Sequence, residues 1–479
     1  MKKIAFQKHL LWFLLFFLLM GLKSSFSQVP FFEKSYGQTG VDIAFAVKQN
    51  PDSCVYLFGY SSNTSTQAED FALTKLNSSG DFQWTKFYGT PDVDFGLYMN
   101  LADSFDLILL GLTATTGPLE QEILVIKVDS AGLELWRKNY GGPGNQSCKY
   151  VEKTSDGMYI LCGSTTDAWG TNDVYVLKLD ANGDKVWDTA YAAVDNDYGM
   201  KIIESSNLNY VLSSDTKSSG NGGYDVQLLG VNNSGTVNFA NVHGDLFQNG
   251  CQGLMQTSSG VNVVYGETEI ATFSLFDFFF YMFDEMGGFL REKVLGGVGT
   301  DALFDVVETP NGDLIGCGYS NSFSNGTQPL NLAVIRTDSL GNLQFVKEYG
   351  GNGIDIGYSI TPALGGGYYV AGRRTNADED FYLLHIDDAG LTSIPENGGF
   401  PEDEMVVHPN PTHGQFAVKT NFLVKAWNLF DVTGQLLFHE DGDKNYFKYF
   451  DISKLSDGMY FLNAQGETSQ KTSKVYKMN

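Results

Sequence analysis

Positive charge is scarce in this chain. Of 479 residues, 31 are basic and 56 acidic, a formal charge of -25, and only five of the basic residues are arginine. A surface this acidic repels phosphate backbones, whose binding depends on Lys and Arg neutralising phosphates and releasing counterions, so nucleic acid is excluded as a partner. Charged residues of any sign make up 18%, against about 25% in an average soluble protein. Cysteine is also sparse. Cys54, Cys148, Cys162, Cys251 and Cys317 form no CxxC pair and have no histidine at metal-ligand spacing, which excludes a zinc knuckle or a thioredoxin-like centre. They read as small buried hydrophobes. Cys148 and Cys162 fall on consecutive predicted strands and raise the question of a disulfide, although the expected register sets them diagonally. His243 and His385 are the only histidines between residues 28 and 394, and no Ser-His-Asp set or phosphate loop is visible. No apolar run of spanning length occurs after residue 22.

What is present is apolar material (43%), aromatic residues (14%) and 54 glycines, enough for a large core. Residues 1–27 begin with Lys2, Lys3 and Lys8, continue with an apolar run over 10–22 and end in Ser25-Phe26-Ser27. This is the layout of a secretory signal peptide, and 13 apolar residues are short of the about 20 that span a bilayer. The mature chain is expected to start at Gln28, to pass through the periplasm and to carry no transmembrane segment.

Self-similarity is the strongest signal between residues 28 and 394. A Tyr-Gly step, or its counterpart, recurs at Tyr36, Tyr88, Tyr140, Tyr191, His243, Leu295 and Tyr349, with spacings of 52, 52, 51, 52, 52 and 54. A second marker, Asp/Asn-x-x-Gly, recurs in phase at Asn77, Asp129, Asp180, Asn232, Asp284, Asp338 and Asp387. A period near 50 belongs to propeller blades rather than helical solenoids. Inside each unit hydrophobicity alternates with period two, so each supplies four strands; in the third they are roughly 148–154, 158–164, 173–180 and 185–191. Trp84, Trp136, Trp187, Phe239 and Phe345 stand four residues before the step and are expected to wedge between neighbouring sheets. Arg291 breaks that series. Phe32 lies in the same phase with no complete unit before it, which makes residues 29–35 the fourth strand of the last blade, in preference to 391–394. Such closure removes sheet edges.

Charge balance changes near residue 404. Residues 28–404 hold 19 basic and 49 acidic residues, whereas 405–479 hold 8 and 7, with a Pro/Gly-containing linker at 395–404. Alternating segments at 415–419, 426–431, 435–439, 446–451 and 459–463 predict a small β-sandwich. The blocks from Val407 through Pro409-Asn410-Pro411 to Gly414, Leu429 through Gly434-Gln435, Asp451 through Gly458-Met459-Tyr460, and the basic end with Lys474 and Lys477 resemble the type A C-terminal sorting domain of the type IX secretion system. That resemblance implies recognition of the tail by the type IX translocon and export to the outer-membrane surface, or release, in a Gram-negative bacterium. The repeats resemble bacterial β-propeller repeats found ahead of such tails, which implies a fold more than a function. The architecture expected is all-β: a seven-bladed β-propeller over 28–394 and a small C-terminal β-sandwich sorting domain over 405–479. His408 and His413, lacking a third ligand, read as turn residues.

An antiparallel meander puts the loops between second and third strands on the same rim as those between fourth and first. That rim carries Asp42, Asp94, Asp197, Asp301 and Asp355, each near the start of an innermost strand. Five carboxylates around a channel mouth suit Ca²⁺ or a polar ligand, while repetition alone is explained if each Asp caps a turn in its own blade, the reading we prefer. No other cofactor is implied. Trp169 and Phe323 in the loops are candidate stacking contacts for a sugar. The function expected is a surface or secreted binding module for a glycan, peptide or protein. A propeller hydrolase or lyase acting on extracellular polysaccharide, and a structural spacer, are the alternatives.

Overall fold

The computed structural model describes residues 31–478 apart from 38, 63–68, 91, 104, 115–120, 143, 167–169, 192, 207–208, 221, 271–274, 324–328, 376–377, 393–404, 409 and 468. The expected signal peptide and linker lie outside the described residues. Seven four-stranded antiparallel sheets follow one another, the first built from Asp42–Gln49, Val55–Ser62, Glu69–Leu76 and Phe82–Tyr88 in that order. Blades 2 to 6 repeat it over 94–140, 146–191, 197–243, 249–295 and 301–349. Blade 7 takes three strands, Asp355–Pro362, Tyr368–Thr375 and Glu379–Ile386, and receives its outermost strand, Phe32–Tyr36, from the other end of the ring. Leu391 and Thr392 are in no strand. Arg374 and Glu33 fasten this closure with a partly buried ion pair at 2.5 Å.

The two sequence markers meet across each blade boundary. In the Asp/Asn-x-x-Gly turn the acid or amide oxygen accepts the N–H groups two and four residues on, as Asp129 does from Ala131 and Leu133, and the glycine takes positive φ, +71° at Gly132. The tyrosine of the preceding blade donates its hydroxyl to that glycine's carbonyl: Tyr36 to Gly80 at 2.6 Å, Tyr88 to Gly132 at 2.8 Å, Tyr140 to Gly183 at 2.5 Å, Tyr191 to Gly235 at 2.9 Å, and Tyr349 to Gly390. The aromatic four residues earlier packs against the same glycine, where a Cβ on Gly132 would come within 2.8 Å of Trp84. Where His243 replaces tyrosine, Asn241 Nδ2 supplies the bond to Gly287 at 2.9 Å. Beside Arg291 and Leu295, Lys293 and Met282 pack under Gly341 instead.

The tail has its own core around Trp427, Phe450, Leu429 and Leu462. The segments expected as four strands form two long ones, Gln415–Phe430 and Leu436–Asp451. Register shifts at Lys419/Val424 and Val424/Ala426 bend the first, so that one half pairs with Met405–His408 and the other with Gly458–Gln465. Cys148, Cys162, Cys251 and Cys317 are buried thiols, and Cys54 is half-buried. No disulfide joins Cys148 to Cys162, because Cys148 faces Gly163 while Cys162 faces Tyr150.

Candidate functional site

Every innermost strand carries a β-bulge at the same place, three residues after its rim Asp or counterpart. The extra residues are Phe45, Leu97, Lys149, Met200, Gln252, Phe304 and Tyr358. A bulge pushes its strand against the neighbouring backbone, and the facing position of the second strand is glycine in six blades: a Cβ on Gly59 would lie 1.8 Å from the Ile43 carbonyl oxygen. Blade 4 has Ser214 there. The residue following this position is again on the rim side: Tyr60, Leu112, Ser164, Asp215, Glu267, Tyr319 and Arg373.

The bulge residues share one level at the channel mouth, and those of blades 6 and 7, 7 and 1, and 3 and 4 touch one another. Blades 6, 7, 1 and 2 form an aromatic arc. Phe304 lies 5.9 Å from Tyr319 and 5.1 Å from Tyr358, Tyr358 is 4.6 Å from Phe45, Phe45 is 5.9 Å from Tyr60, and Tyr60 is 5.1 Å from Phe95, ring centre to ring centre. All six rings are half-buried, leaving part of each exposed. Blades 3, 4 and 5 form a polar arc. Lys149, exposed, reaches Met200 Sδ at 3.3 Å; Gln252 Nε2 donates to Glu267 Oε1 at 3.1 Å; and the Cys251 N–H donates to Asp215 Oδ1 at 2.6 Å. Burial pushes both carboxyls up to about 7, against the hydrogen bonds from Cys251 and Gln252 and the attraction of Lys149.

Below the mouth the channel is filled. The residue after each bulge is Ala46, Tyr98, Tyr150, Lys201, Gly253, Asp305 or Ser359. Lys201 Nζ bonds Asp305 Oδ1 at 3.1 Å, joining blades 4 and 6 over the innermost strand of blade 5. Tyr265, whose hydroxyl occupies the space a side chain on Gly253 would need, bonds both of them at 3.0 and 3.1 Å. Lys201 also stands 4.7 Å over the Tyr150 ring, Lys48 donates to Tyr98 at 3.2 Å, and Tyr150 donates to Glu152 at 2.9 Å. Burial favours the neutral form of both Asp305 and Lys201, but each overrides the other's desolvation, so the carboxyl is held below its usual range and the ammonium above. Lys48 and Glu152 respond to burial in the ordinary way, the ammonium pulled down and the carboxyl pushed up.

The acids expected at the rim are there, but turned inward. Asp42, Asp94, Asp197, Asp301 and Asp355 are all buried. Asp94 accepts from the Thr90 N–H, Asp301 from Gly297 at 3.2 Å and Asp355 from Gly351 at 2.8 Å, while Asp197 accepts from Lys217 at 3.0 Å. Gln146 takes the same place in blade 3, bonding the Gly142 N–H at 2.8 Å. Several have a second carboxylate close by, as the glycine of the step shows by its crowding: Gly89 lies between Asp70 and Asp94, and Gly296 between Asp277 and Asp301. Among the described residues no three His, Cys, Asp or Glu side chains are grouped to hold a metal ion. Phe323 is half-buried against the core of blades 5 and 6, and its N–H donates to Glu348 at 3.2 Å. Trp169 lies outside the described residues.

In the tail the first and third motif blocks meet the last strand, Gln470–Lys477, and the second forms a turn of its own. Asn410 Nδ2 donates to the Lys474 carbonyl at 2.6 Å and its Oδ1 accepts from the Tyr476 N–H at 2.8 Å, with Pro411 exposed beside it. A Cβ on Gly414 would meet Ser453, Gly434 and Gln435 complete the turn capped by Asp431, and Tyr460 donates to the Ser456 carbonyl at 2.5 Å beyond Gly458. Lys477 pairs with Asp457 at 2.9 Å. His413 bonds the Met478 carbonyl at 3.1 Å, a turn contact. Pro409 lies outside the described residues.

Residues 406–478 match the family described as Secretion system C-terminal sorting domain. The chain is thus a β-propeller protein bearing a type IX sorting domain, whose tail engages the type IX secretion system and directs export to the cell surface or extracellular space, as in Bacteroidetes. Among solved structures the chain is similar to a protein of unknown function from Bacteroides caccae, with 12% identity and a TM-score of 0.40 over 63% of this chain and 98% of that one. It is similar to a puromycin hydrolase, with 10% identity and a TM-score of 0.48 over 81% and 59% of the two chains. It is also similar to the β-propeller domain of the Trilobed protease from Pyrococcus furiosus, with 9% identity and a TM-score of 0.43 over 73% and 94%. Likeness at this level carries no functional argument. No curated protein matches the sequence. Among the described residues no helix is long and apolar enough to cross a membrane.

Proposed function

We propose that the exported propeller is a binding module and that its ligand occupies the channel mouth. The observation that carries this reading is positional. The bulge residue and the residue after the second-strand glycine sit at fixed phases of the repeat, yet they hold unlike side chains: aromatic rings predominate in blades 6, 7 and 1, beside Arg373, and polar groups in blades 3 to 5. A pure spacer has no need to vary these positions over an unchanged bulge, and recognition sites combine apolar walls with a few convergent polar groups. The inward-turned rim acids serve as turn caps, so Ca²⁺ has no part in this reading. The hydrolase alternative finds its support in Asp215 and Glu267, two carboxyls whose burial keeps them part-protonated near neutral pH.

The test is thermal unfolding of the mature protein against panels of oligosaccharides, peptides and Ca²⁺. A ligand at a hundred times its Kd adds about 2.7 kcal/mol to the native state, enough to move Tm visibly. A shift lost in Tyr358→Ala and kept in Trp136→Phe supports the mouth as the site. A shift indifferent to every mouth substitution overturns it. Turnover of a shifting ligand, abolished in Asp215→Asn, would convert the binding module into an enzyme.

A further inference from the structure

Resting on that reading of the mouth, we infer that the cup takes the terminal residue of a hydroxyl-rich saccharide, end-on, with the sugar ring against the Phe45–Tyr358–Phe304 arc and its hydroxyls toward Glu267, Gln252 and Lys149. The chemistry of the two arcs leads to this class. A sugar ring is apolar on its C–H face and lined at its edge by groups that both donate and accept hydrogen bonds. The aromatic arc offers partly exposed rings for the first, at an interface where aromatic side chains bury large areas. The polar arc offers donors and acceptors side by side, an ammonium, an amide and two carboxyls, rather than charge of one sign. A cationic ligand would suit the rings but would meet Lys149 on the opposite wall; an anionic one would meet Asp215 and Glu267.

The floor decides the orientation. Lys201 and Asp305 join just below the bulges, Tyr265 and Tyr150 close around them, and Tyr98, Lys48 and Ser359 extend the same cluster to blades 2, 1 and 7. A polymer therefore cannot thread the channel, and a saccharide that reaches past the bulge residues does so by its end.

The experiment is titration of the mature protein with linear oligosaccharides of defined sequence and rising length, with cyclic oligomers of the same sugar where they exist, and with lysine-rich and neutral peptides. The expected result is binding of linear saccharides whose affinity levels off after two or three residues, with cyclic forms at least ten-fold weaker. Tyr358→Ala should weaken binding ten-fold or more and Glu267→Gln by about three- to ten-fold, each with Tm within a few degrees of the parent. Should Tyr358→Ala fail to fold, Gln252→Ala with Glu267→Gln carries the test. Affinity that keeps rising with length, or equal binding of cyclic forms, overturns end-on recognition. Peptide binding that the same variants abolish overturns the saccharide while leaving the mouth as the site, and saccharide binding untouched by all the variants overturns both.

Discussion

The outer seam and the channel mouth of this propeller are built from the same repeat under opposite rules. At the seam one arrangement recurs around the ring: a tyrosine hydroxyl meets the carbonyl of a turn glycine in the next blade, over an aromatic side chain packed on that glycine. When the sequence departs, as at His243, a neighbour restores the bond. At the mouth nothing is restored. Phe45 gives way to Lys149 and Gln252, and Tyr60 to Asp215 and Arg373, with the backbone bulge unchanged beneath them. The seam repeats its geometry and its chemistry together; the mouth keeps its geometry and varies its chemistry.

Substitutions can separate the two. The largest effect is expected beneath the mouth, where Lys201→Met strands the buried Asp305 carboxylate. Breaking one partner of a buried pair costs about 3–5 kcal/mol, so chemical denaturation should show that loss, and Lys201→Met combined with Asp305→Leu should recover most of it. At the seam, Trp136→Ala should cost about 2–4 kcal/mol through lost packing against Gly183, and Tyr88→Phe about 1 kcal/mol through one hydrogen bond, both without changing affinity for a mouth ligand.

The polar arc adds a pH test. Asp215 and Glu267 hold their protons more tightly in the folded state than the about 4 of an unfolded carboxyl. Stability is therefore lost as pH rises from about 4 through about 7, and no further above that. Asp215→Asn, which keeps an acceptor for the Cys251 N–H, should be about 1–3 kcal/mol more stable than the parent above pH 7, with the difference vanishing near pH 4. Denaturant unfolding across that range reads it directly. The smallest stability effect belongs to the half-exposed rings: Tyr358→Ala should move Tm by a few degrees at most while removing ligand binding.

Much of the fold was legible because its markers are local. Period-two strands, the Asp/Asn-x-x-Gly turns and Phe32 in phase with the seam aromatics led to seven blades closed by the N-terminal strand, as observed. The rim was also legible, since strand order alone fixes which loops share an end. The residues of the mouth were not. The rim acids drew attention because they repeat, yet repetition is what turn capping produces, and Asp94, Asp197, Asp301 and Asp355 accept N–H groups of adjoining turns and loops. The useful signal was the reverse: aligned on the second-strand glycine, the next residue is the one that changes character from blade to blade. The channel cluster was hidden more deeply, because joining Lys201 to Asp305 requires knowing that residues 104 apart, two blades from each other, both turn into the channel of a closed ring. In the tail, the break between predicted strands marked bends within longer ones.

The closing strand, finally, sets an order of events. Phe32–Tyr36 precedes the other strands of the ring in sequence and cannot find its place until Glu379–Ile386 exists, so the ring can shut only after blade 7 has been made. Shutting the ring belongs to the compartment in which the whole chain is present. The latch draws on residues 32–36 and 379–386 and on no strand of the tail, so closure of the ring does not depend on the sorting domain.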